Sequence, residues 1–193
     1  MIEHLTTAAT QIPVSIHRAR AHLRVDLADD DVEIYNAIKD ATKAAEEYTG
    51  RAFCDQVWTA YYDHFPEILC VLRRPIVSID SVKYIDIDGN QQTVSSANYR
   101  TDLYHGRIVP AYGTSWPNTR SVINSVEVAY TAGYGTNQSP VGVIPNDIQH
   151  LILLMVADWM EHKEPTIVGT TVRAIPGIAG VKALLDLNRV YAI

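Results

Sequence analysis

Residues 31–50 read DVEIYNAIKDATKAAEEYTG, and this stretch gives the clearest structural signal in the chain. Apolar or small residues recur along it at alternating steps of four and three, at Ile34, Ile38, Ala41, Ala45 and Tyr48. Charged residues fill the opposite side, which is the pattern of an amphipathic helix with one buried face. Glycine adopts the left-handed conformation that commonly ends a helix. The stretch therefore predicts a helix that stops at Gly50.

The residues before this helix predict a polar tail and then a shorter helix. Ser15 is a good N-cap for residues 16–23, where apolar or small side chains recur at steps of three and four. The acids from Asp26 to Asp31 then supply an N-cap and negative charge at the positive end of the next helix. The same acidic stretch, extended to Glu33, would also attract a divalent cation, but capping explains it adequately.

Beyond Gly50 the sequence changes character and predicts strands. Residues 54–134 are rich in β-branched and aromatic side chains and in turn residues. Residues 57–62 and 68–72 are interpreted as two strands paired with each other. Residues 122–131 alternate well enough to form a further strand.

Two hairpins are predicted within this β region, each with glycine at its turn. They join residues 76–86 with 91–94 across Asp88-Gly89, and residues 99–102 with 107–110 across His105-Gly106. Asp86 and Asp88 superficially match the start of a calcium loop. The later carboxylate that such a loop needs is absent, so a hairpin turn is the better interpretation.

A long helix is predicted from Pro145 to about Lys163, because proline is favoured at the first helical position. This helix is apolar on nearly all faces, so it must be covered from several sides. Aromatic residues and methionine are enriched in interface cores. We therefore predict an oligomer interface that uses Leu151, Leu154, Met155, Trp159 and Met160. The alternative, that Trp159 lies in the core of its own chain, is equally compatible with the sequence.

The remaining residues complete the predicted architecture. Residues 166–178 are expected to link the long helix to a short terminal helix that carries Val181, Leu184, Leu185 and Leu187. The fold class predicted is α+β, mainly a helical bundle with an inserted antiparallel β region. Residues 1–193 are expected to form a single domain, with a helical body at about 15–50 and 145–190 and a β insertion at about 54–135.

The composition disfavours several classes of protein. The formal net charge is −6 and no basic run exceeds Arg73-Arg74, so tight binding to duplex DNA is not expected. The longest apolar run, residues 151–157, is far shorter than the roughly 20 residues that span a bilayer. The N-terminal residues do not read as a secretory signal, so we expect the chain to remain in the cytoplasm where it is made.

The sequence also contains no motif that indicates catalysis or the binding of a cofactor or a metal. Cys54 and Cys70 form no CxxC motif, and the seven histidines include no helical zinc-binding pair. Asp158 and His162 are four residues apart and could form an acid–base pair, but ordinary surface hydrogen bonding accounts for the same spacing. We therefore predict no catalytic residue, no cofactor, no metal ligand and no enzyme activity.

A set of turn and packing segments nevertheless follows a recognisable order. They are AHLRVD at 21–26, AAEEYTGR at 44–51, LRRPIVSI at 72–79, VKY at 82–84, YRTD at 99–102, SWP at 115–117, AGYG at 132–135 and Ile144-Pro145. As a set, spanning roughly residues 14–190, they resemble the head-tail connector (adaptor) protein family of long-tailed bacteriophages and prophages. No segment of the set is catalytic.

The resemblance implies a structural virion protein at the head-tail junction, assembled in the cytoplasm of the bacterial host. Such a subunit forms a homo-oligomeric ring, commonly twelve-fold, beneath the portal protein, and offers a surface to the next adaptor or a tail-completion protein. Genomic DNA would pass through the ring without tight binding, and acidic side chains lining the channel would suit that passage. The alternative is a generic protein-binding morphogenesis factor of the tail-completion type, acting as a monomer or dimer.

Overall fold

The computed structural model describes residues 1–25, 30–135, 143–161 and 176–190. The chain divides into two compact units. The β unit contains Met1–Ala9 and the described residues of Cys54–Val143, and the helical unit contains the described residues of Thr10–Phe53 and Ile144–Tyr191. The predicted acids Asp26 and Asp29, the residues of the predicted link up to 175, and His162 lie outside the described residues.

The helical unit consists of helices drawn from both ends of the sequence. They are α1 (Ile16–Leu23), α2 (Asp31–Thr49), α3 (Asn146–Glu161) and α4 (Pro176–Asn188). The predicted cap of α1 is confirmed, since the Ser15 hydroxyl accepts a hydrogen bond from the Arg18 amide at 3.3 Å. Helix α4 begins earlier than the apolar pattern predicted, at Pro176.

The structure confirms the buried face that the apolar spacing predicted for α2, except at one position. Ile34, Ile38, Ala41 and Ala45 are fully buried. Gly50 ends the helix at φ +70°, and its amide donates to the Glu46 carbonyl at 2.9 Å. Tyr48 departs from the prediction: its neighbour Thr49 is buried in its place, four residues after Ala45.

The acidic residues before α2 act differently from the capping prediction. Asp30 occupies the N-cap position, but its side chain makes no capping hydrogen bond. Asp31, the first residue of the helix, instead forms an ion pair with Arg20 of α1. The carboxylate therefore ties two helices together as well as lying at the positive end of α2.

The β unit contains two antiparallel sheets. Its strands are β1 (Ile2–Thr7), β2 (Gln56–Tyr62), β3 (Leu69–Cys70), β4 (Ile76–Ile85), β5 (Gln91–Thr93), β6 (Tyr99–Asp102), β7 (Arg107–Pro110) and β8 (Val126–Ala132). The larger sheet has the order β1-β2-β8-β4-β5 and the smaller one β3-β7-β6. Every neighbouring pair in both sheets is antiparallel.

The core of the β unit follows the two-residue period of its central strand. Along β8, Val126, Val128, Tyr130 and Ala132 are buried while the residues between them are half-buried. Leu69 and Ile108, which pair across the smaller sheet, are also fully buried. This regular alternation identifies one face of the larger sheet as its core face.

The size of the β unit corrects the predicted fold class. The protein is mixed α+β, but the description as mainly a helical bundle is wrong, because roughly half of the chain belongs to the β unit. Part of the error lies at the N-terminus, where the predicted polar tail forms strand β1. A strand at a sheet edge needs only one paired side, so polar residues such as His4 and Thr6 are compatible with it.

The predicted pairing of residues 57–62 with 68–72 is also wrong. Strand β2 has β1 along one side and β8 along the other, so no side of β2 remains for β3. Strand β3 pairs with β7 instead. Both predicted hairpins are confirmed as the pairs β4–β5 and β6–β7.

The β4–β5 turn shows why it is a turn and not a calcium loop. The Asp86 carboxylate accepts hydrogen bonds from the amides of Asp88 at 3.1 Å and Asn90 at 2.8 Å, and from the Gln92 side chain at 2.9 Å. These hydrogen bonds, that of Gln92 above all, lower the pKa of Asp86 below its usual value. Gly89 adopts φ +93°, a conformation that suits glycine.

Candidate interaction surfaces

The five residues predicted to form an oligomer interface occupy different environments on α3. Leu151 is fully buried and Met155 is 9% exposed, so both belong to the protein core. Leu154 and Met160 are half-buried, and Trp159 is 39% exposed. The apolar character of α3 is thus largely explained by burial within the chain. Of the five predicted residues, Leu154, Trp159 and Met160 retain surface that a partner could cover.

Helix α4 exposes more apolar surface than its sequence would suggest. None of its described side chains, from residue 180 to 188, is fully buried. Leu184 and Leu185 are half-buried, and Leu187 is 81% exposed. We call Leu184, Leu185 and Leu187 the α4 leucine cluster.

Polar contacts hold the C-terminal end of α4 in place within the helical unit. The Tyr48 hydroxyl donates to the Asp186 carboxylate at 2.6 Å, and the Arg51 guanidinium donates to the Asn188 carbonyl at 2.6 Å. The Val190 amide donates to the Thr49 carbonyl at 2.7 Å. The helix is therefore positioned by hydrogen bonds while its leucines stay accessible. This combination marks the cluster as a candidate contact surface.

The larger sheet of the β unit presents two edges. Strand β1 forms one edge, where Ile2 is 69% exposed and Leu5 36% exposed. Strand β5 forms the other, and all three of its residues are exposed. An unpaired sheet edge carries a row of backbone donors and acceptors, which makes it a ready template for a strand from another chain.

Strand β1 is fixed to its own sheet by more than its ladder with β2. The Glu3 carboxylate accepts a hydrogen bond from the Leu72 amide at 2.7 Å, and the hydroxyls of Thr6 and Thr59 lie 2.6 Å apart. Burial raises the pKa of Glu3, with the hydrogen bond from Leu72 opposing that rise. These contacts show that β1 is a defined edge strand.

A further exposed region lies at the end of the larger sheet. The Ile85 amide donates to the Ser125 carbonyl at 2.8 Å, which brings the β4–β5 turn beside the loop before β8. Ile87 in that turn is 69% exposed, and Ile123 in that loop is 81% exposed. Isolated exposed residues of this kind are common on protein surfaces and do not by themselves define a site.

The described residues offer no arrangement suited to catalysis or metal binding. No group of three or more His, Cys, Asp or Glu side chains among them could hold a metal ion. Cys54 is buried and Cys70 exposed, and neither is in a disulfide. The acid–base pair considered from the sequence is not placed, because His162 lies outside the described residues. In the described ranges, no helix has the length and apolarity needed to cross a membrane.

The fold is similar, over the whole chain, to chains of gene transfer agent (GTA) particles. A chain in the virion of a native GTA particle superposes with a TM-score of 0.77, and one in the neck of an empty GTA particle, computed with C6 symmetry, with 0.76. A chain in the neck of a native GTA particle, computed with C12 symmetry, gives 0.75. Each likeness covers 100% of this chain and 97% of the other at 21% identity. At that identity the likeness establishes the fold.

No protein-family model and no curated protein matches this chain.

The sequence predicted α3, α4 and strand β5, but it did not predict strand β1 or the position of β5 at a sheet edge. The edge at β1 was missed because Ile2–Thr7 alternates weakly and contains Glu3, a residue type that is depleted in strands. A signal was present in the β-branched Ile2 and in Leu5, which is followed by the β-branched Thr6 and Thr7. The edge at β5 follows from the predicted hairpin, but its position in the sheet depends on long-range pairing that the local sequence does not encode.

Proposed function

We propose that this chain is a structural subunit of the neck of a tailed phage or phage-like particle, a connector that forms a ring at the head-tail junction. The observation that carries the proposal is the fold likeness to GTA chains, which extends over 100% of this chain and 97% of the other. The connector-like segments of the sequence support the same role independently.

The exposed apolar residues support oligomerisation. A ring subunit contacts its two neighbours through two different surfaces, because the subunits of a ring are related head to tail by a rotation. The α4 leucine cluster, together with Leu154, Trp159 and Met160 of α3, supplies apolar surface that a neighbouring copy would bury. On this proposal the helical unit forms the ring body. The C12 and C6 symmetries of the similar GTA necks favour a twelve-fold ring.

The remaining partners follow from the position of a connector. The ring would dock beneath the portal protein and present a surface to the next adaptor or to a tail-completion protein. Genomic DNA would pass through the channel, and the formal net charge of −6 is consistent with passage without tight binding. The role is mechanical, and no residue is assigned to catalysis, a cofactor or a metal.

The test is the mass of the purified protein in solution, measured by light scattering behind a sizing column, alone and with the portal ring from the same particle. A large closed oligomer, formed alone or on the portal, would support the connector. A monomer or dimer that ignores the portal at every concentration would contradict it. That result would favour the generic morphogenesis factor instead.

A further inference from the structure

The register of the larger sheet shows which backbone groups of β4 point toward each neighbour. The Val94 amide donates to the Val82 carbonyl at 2.8 Å, so the backbone of Val82 points toward β5. The Ile85 amide donates to the Ser125 carbonyl at 2.8 Å, so the backbone of Ile85 points toward β8. Because backbone direction alternates along a strand, Lys83 also points toward β8.

The same alternation carries across the sheet to β1. Lys83 pairs with Glu127, so the Glu127 backbone points toward β4 and that of Val128 toward β2. Val128 pairs with Ala60, so the backbone of Ala60 points toward β8 and that of Thr59 toward β1. The partner of Thr59 on β1 is His4.

In β1, the backbone of His4 therefore forms hydrogen bonds with β2, while the backbone groups of Glu3 and Leu5 point outward at the open edge. Outside the strand ladders, the backbone–backbone hydrogen bonds of the described residues include none from the amides of Glu3 or Leu5. Their side chains lie on the core face of the sheet, the face that Trp58 and Ala60 share. Two outward residues thus offer up to four backbone hydrogen bonds.

Strand β5 has a matching open side. Gln92 pairs with Tyr84, whose backbone points toward β5, so Gln92 bonds inward. Gln91 and Thr93 then present their backbone groups outward, and outside the strand ladders the described residues again supply no backbone partner for their amides. Both edges of one sheet thus expose the same number of outward residues, and the side chains of β5 are uncharged.

From these two open edges we propose that β1 of one copy pairs with β5 of the next copy, so that the larger sheet continues from subunit to subunit. This inference rests on the proposed ring and adds the identity of one contact in it. The two edges are different surfaces of one chain, as a head-to-tail contact requires. Pairing of β1 with β1 would be isologous and would stop at a dimer.

The strand directions fix the geometry of the junction. Neighbouring strands alternate in direction across the five-stranded sheet, so its two edge strands, β1 and β5, run the same way. A ring rotation preserves strand direction relative to the ring axis, so the junction is parallel. The contact is short, because β5 has three residues, and it orients neighbours while larger surfaces supply most of the buried area.

Cysteine cross-linking tests this contact directly. His4 and Thr93 are exposed, and the register places both side chains on the outer face of the sheet, opposite the core face. The variant His4→Cys/Thr93→Cys, made with Cys70→Ser to remove the exposed native thiol, is treated with a short bis-maleimide. We expect a ladder of dimers, trimers and larger species in the double variant and none in either single variant.

The failure of this contact is distinguishable from the failure of the ring. The mass of the same sample, with the portal ring present, is measured before cross-linking. A ring that yields no ladder would overturn the β1–β5 contact and leave the connector proposal intact. Dimers from the His4→Cys single variant would show pairing of β1 with β1 and would also overturn it. A sample that stays monomeric throughout would refute both proposals.

A proline substitution tests the backbone groups themselves. Leu5→Pro removes the outward amide of β1 without removing a ladder hydrogen bond to β2, a position where edge strands tolerate proline. Leu5→Ala is the matched control, because it loses the same side chain and keeps the amide. We expect Leu5→Pro to weaken assembly several-fold relative to Leu5→Ala while both retain the wild-type circular dichroism spectrum. Equal assembly of the two variants would contradict the proposed pairing.

Discussion

Helices α2 and α4 belong to the same unit, yet they use their apolar residues in opposite ways. Helix α2 buries Ile34, Ile38, Ala41 and Ala45 completely and turns its charged residues outward. Helix α4 is held at its end by hydrogen bonds, and Leu187 is 81% exposed. The apolar face of α2 is satisfied by its own chain. That of α4 has the character of a surface that another copy or partner covers.

The largest expected effect on stability is at a buried residue of α2. Ile38→Ala removes a fully buried side chain from α2 and leaves a cavity that the surrounding residues fill only in part. We expect the free energy of unfolding to fall by about 2–5 kcal/mol. Urea denaturation followed by circular dichroism measures the change.

The control for Ile38→Ala lies on the same helix. Val32 is 73% exposed, so Val32→Ala should change the free energy of unfolding by less than about 0.5 kcal/mol. Similar losses for the two variants would show that α2 does not divide into a buried and an exposed side as the structure describes.

The second expected effect on stability is at the glycine that ends α2. Gly50 ends α2 at φ +70°, and a Cβ there would meet only Val190 at 3.7 Å, an ordinary contact. The cost of Gly50→Ala is therefore that of the left-handed backbone, about 1–2 kcal/mol of destabilisation. Thermal and urea denaturation measure it.

The matched control for Gly50→Ala is Gly180→Ala within α4. A Cβ at residue 180 would have no neighbour within 4 Å among the described residues, and the backbone there is helical. Alanine should stabilise this helix by up to about 1 kcal/mol. Destabilisation by Gly180→Ala would contradict an accessible α4 surface at that position.

The contrast between α2 and α4 also shows how far the sequence predicts the structure. The period of α2, its glycine end and the glycine turns of both hairpins are local signals, and the structure confirms each of them. The pairing of β2 with β1 and β8 depends on residues fifty or more positions apart, and the local pattern wrongly favoured β3 as the partner.

The predicted interface residues show the same limit of prediction from local sequence. An apolar helix has the same sequence pattern whether its own chain or a partner covers it. The sequence therefore predicted five interface residues on α3 without separating Leu151 and Met155, which lie in the core, from Trp159. The α4 leucines were predicted as a helix but not as an exposed surface. Exposure depends on the packing of α2 and α3, which the local sequence does not encode.

A smaller effect on stability is expected at the hydrogen bond between Tyr48 of α2 and Asp186 of α4. Tyr48→Phe removes the hydroxyl that donates to Asp186 at 2.6 Å and keeps the aromatic ring, over which the Arg189 guanidinium lies at 5.4 Å. We expect a loss of about 0.5–1 kcal/mol in the free energy of unfolding. Tyr35→Phe is the control, because the Tyr35 hydroxyl has no hydrogen bond within the described part of the chain. Equal losses would mean that the Asp186 bond contributes nothing to holding α4.

The smallest effect on stability is expected at Leu187, where assembly should respond instead. Leu187→Glu replaces an 81% exposed side chain, so the free energy of unfolding should change by less than about 0.5 kcal/mol. A carboxylate in an apolar contact between copies must be desolvated without a partner, and this opposes association.

Light scattering of Leu187→Glu with the portal ring present should therefore show fewer assembled subunits than wild type at equal concentration. Asn36→Glu, exposed on α2, adds the same charge and should assemble normally. Normal assembly of Leu187→Glu would remove the α4 leucine cluster from the proposed ring contacts, leaving Leu154, Trp159 and Met160 of α3 as the apolar candidates. Loss of assembly in both variants would instead indicate that general charge repulsion, and not an apolar contact at α4, governs association.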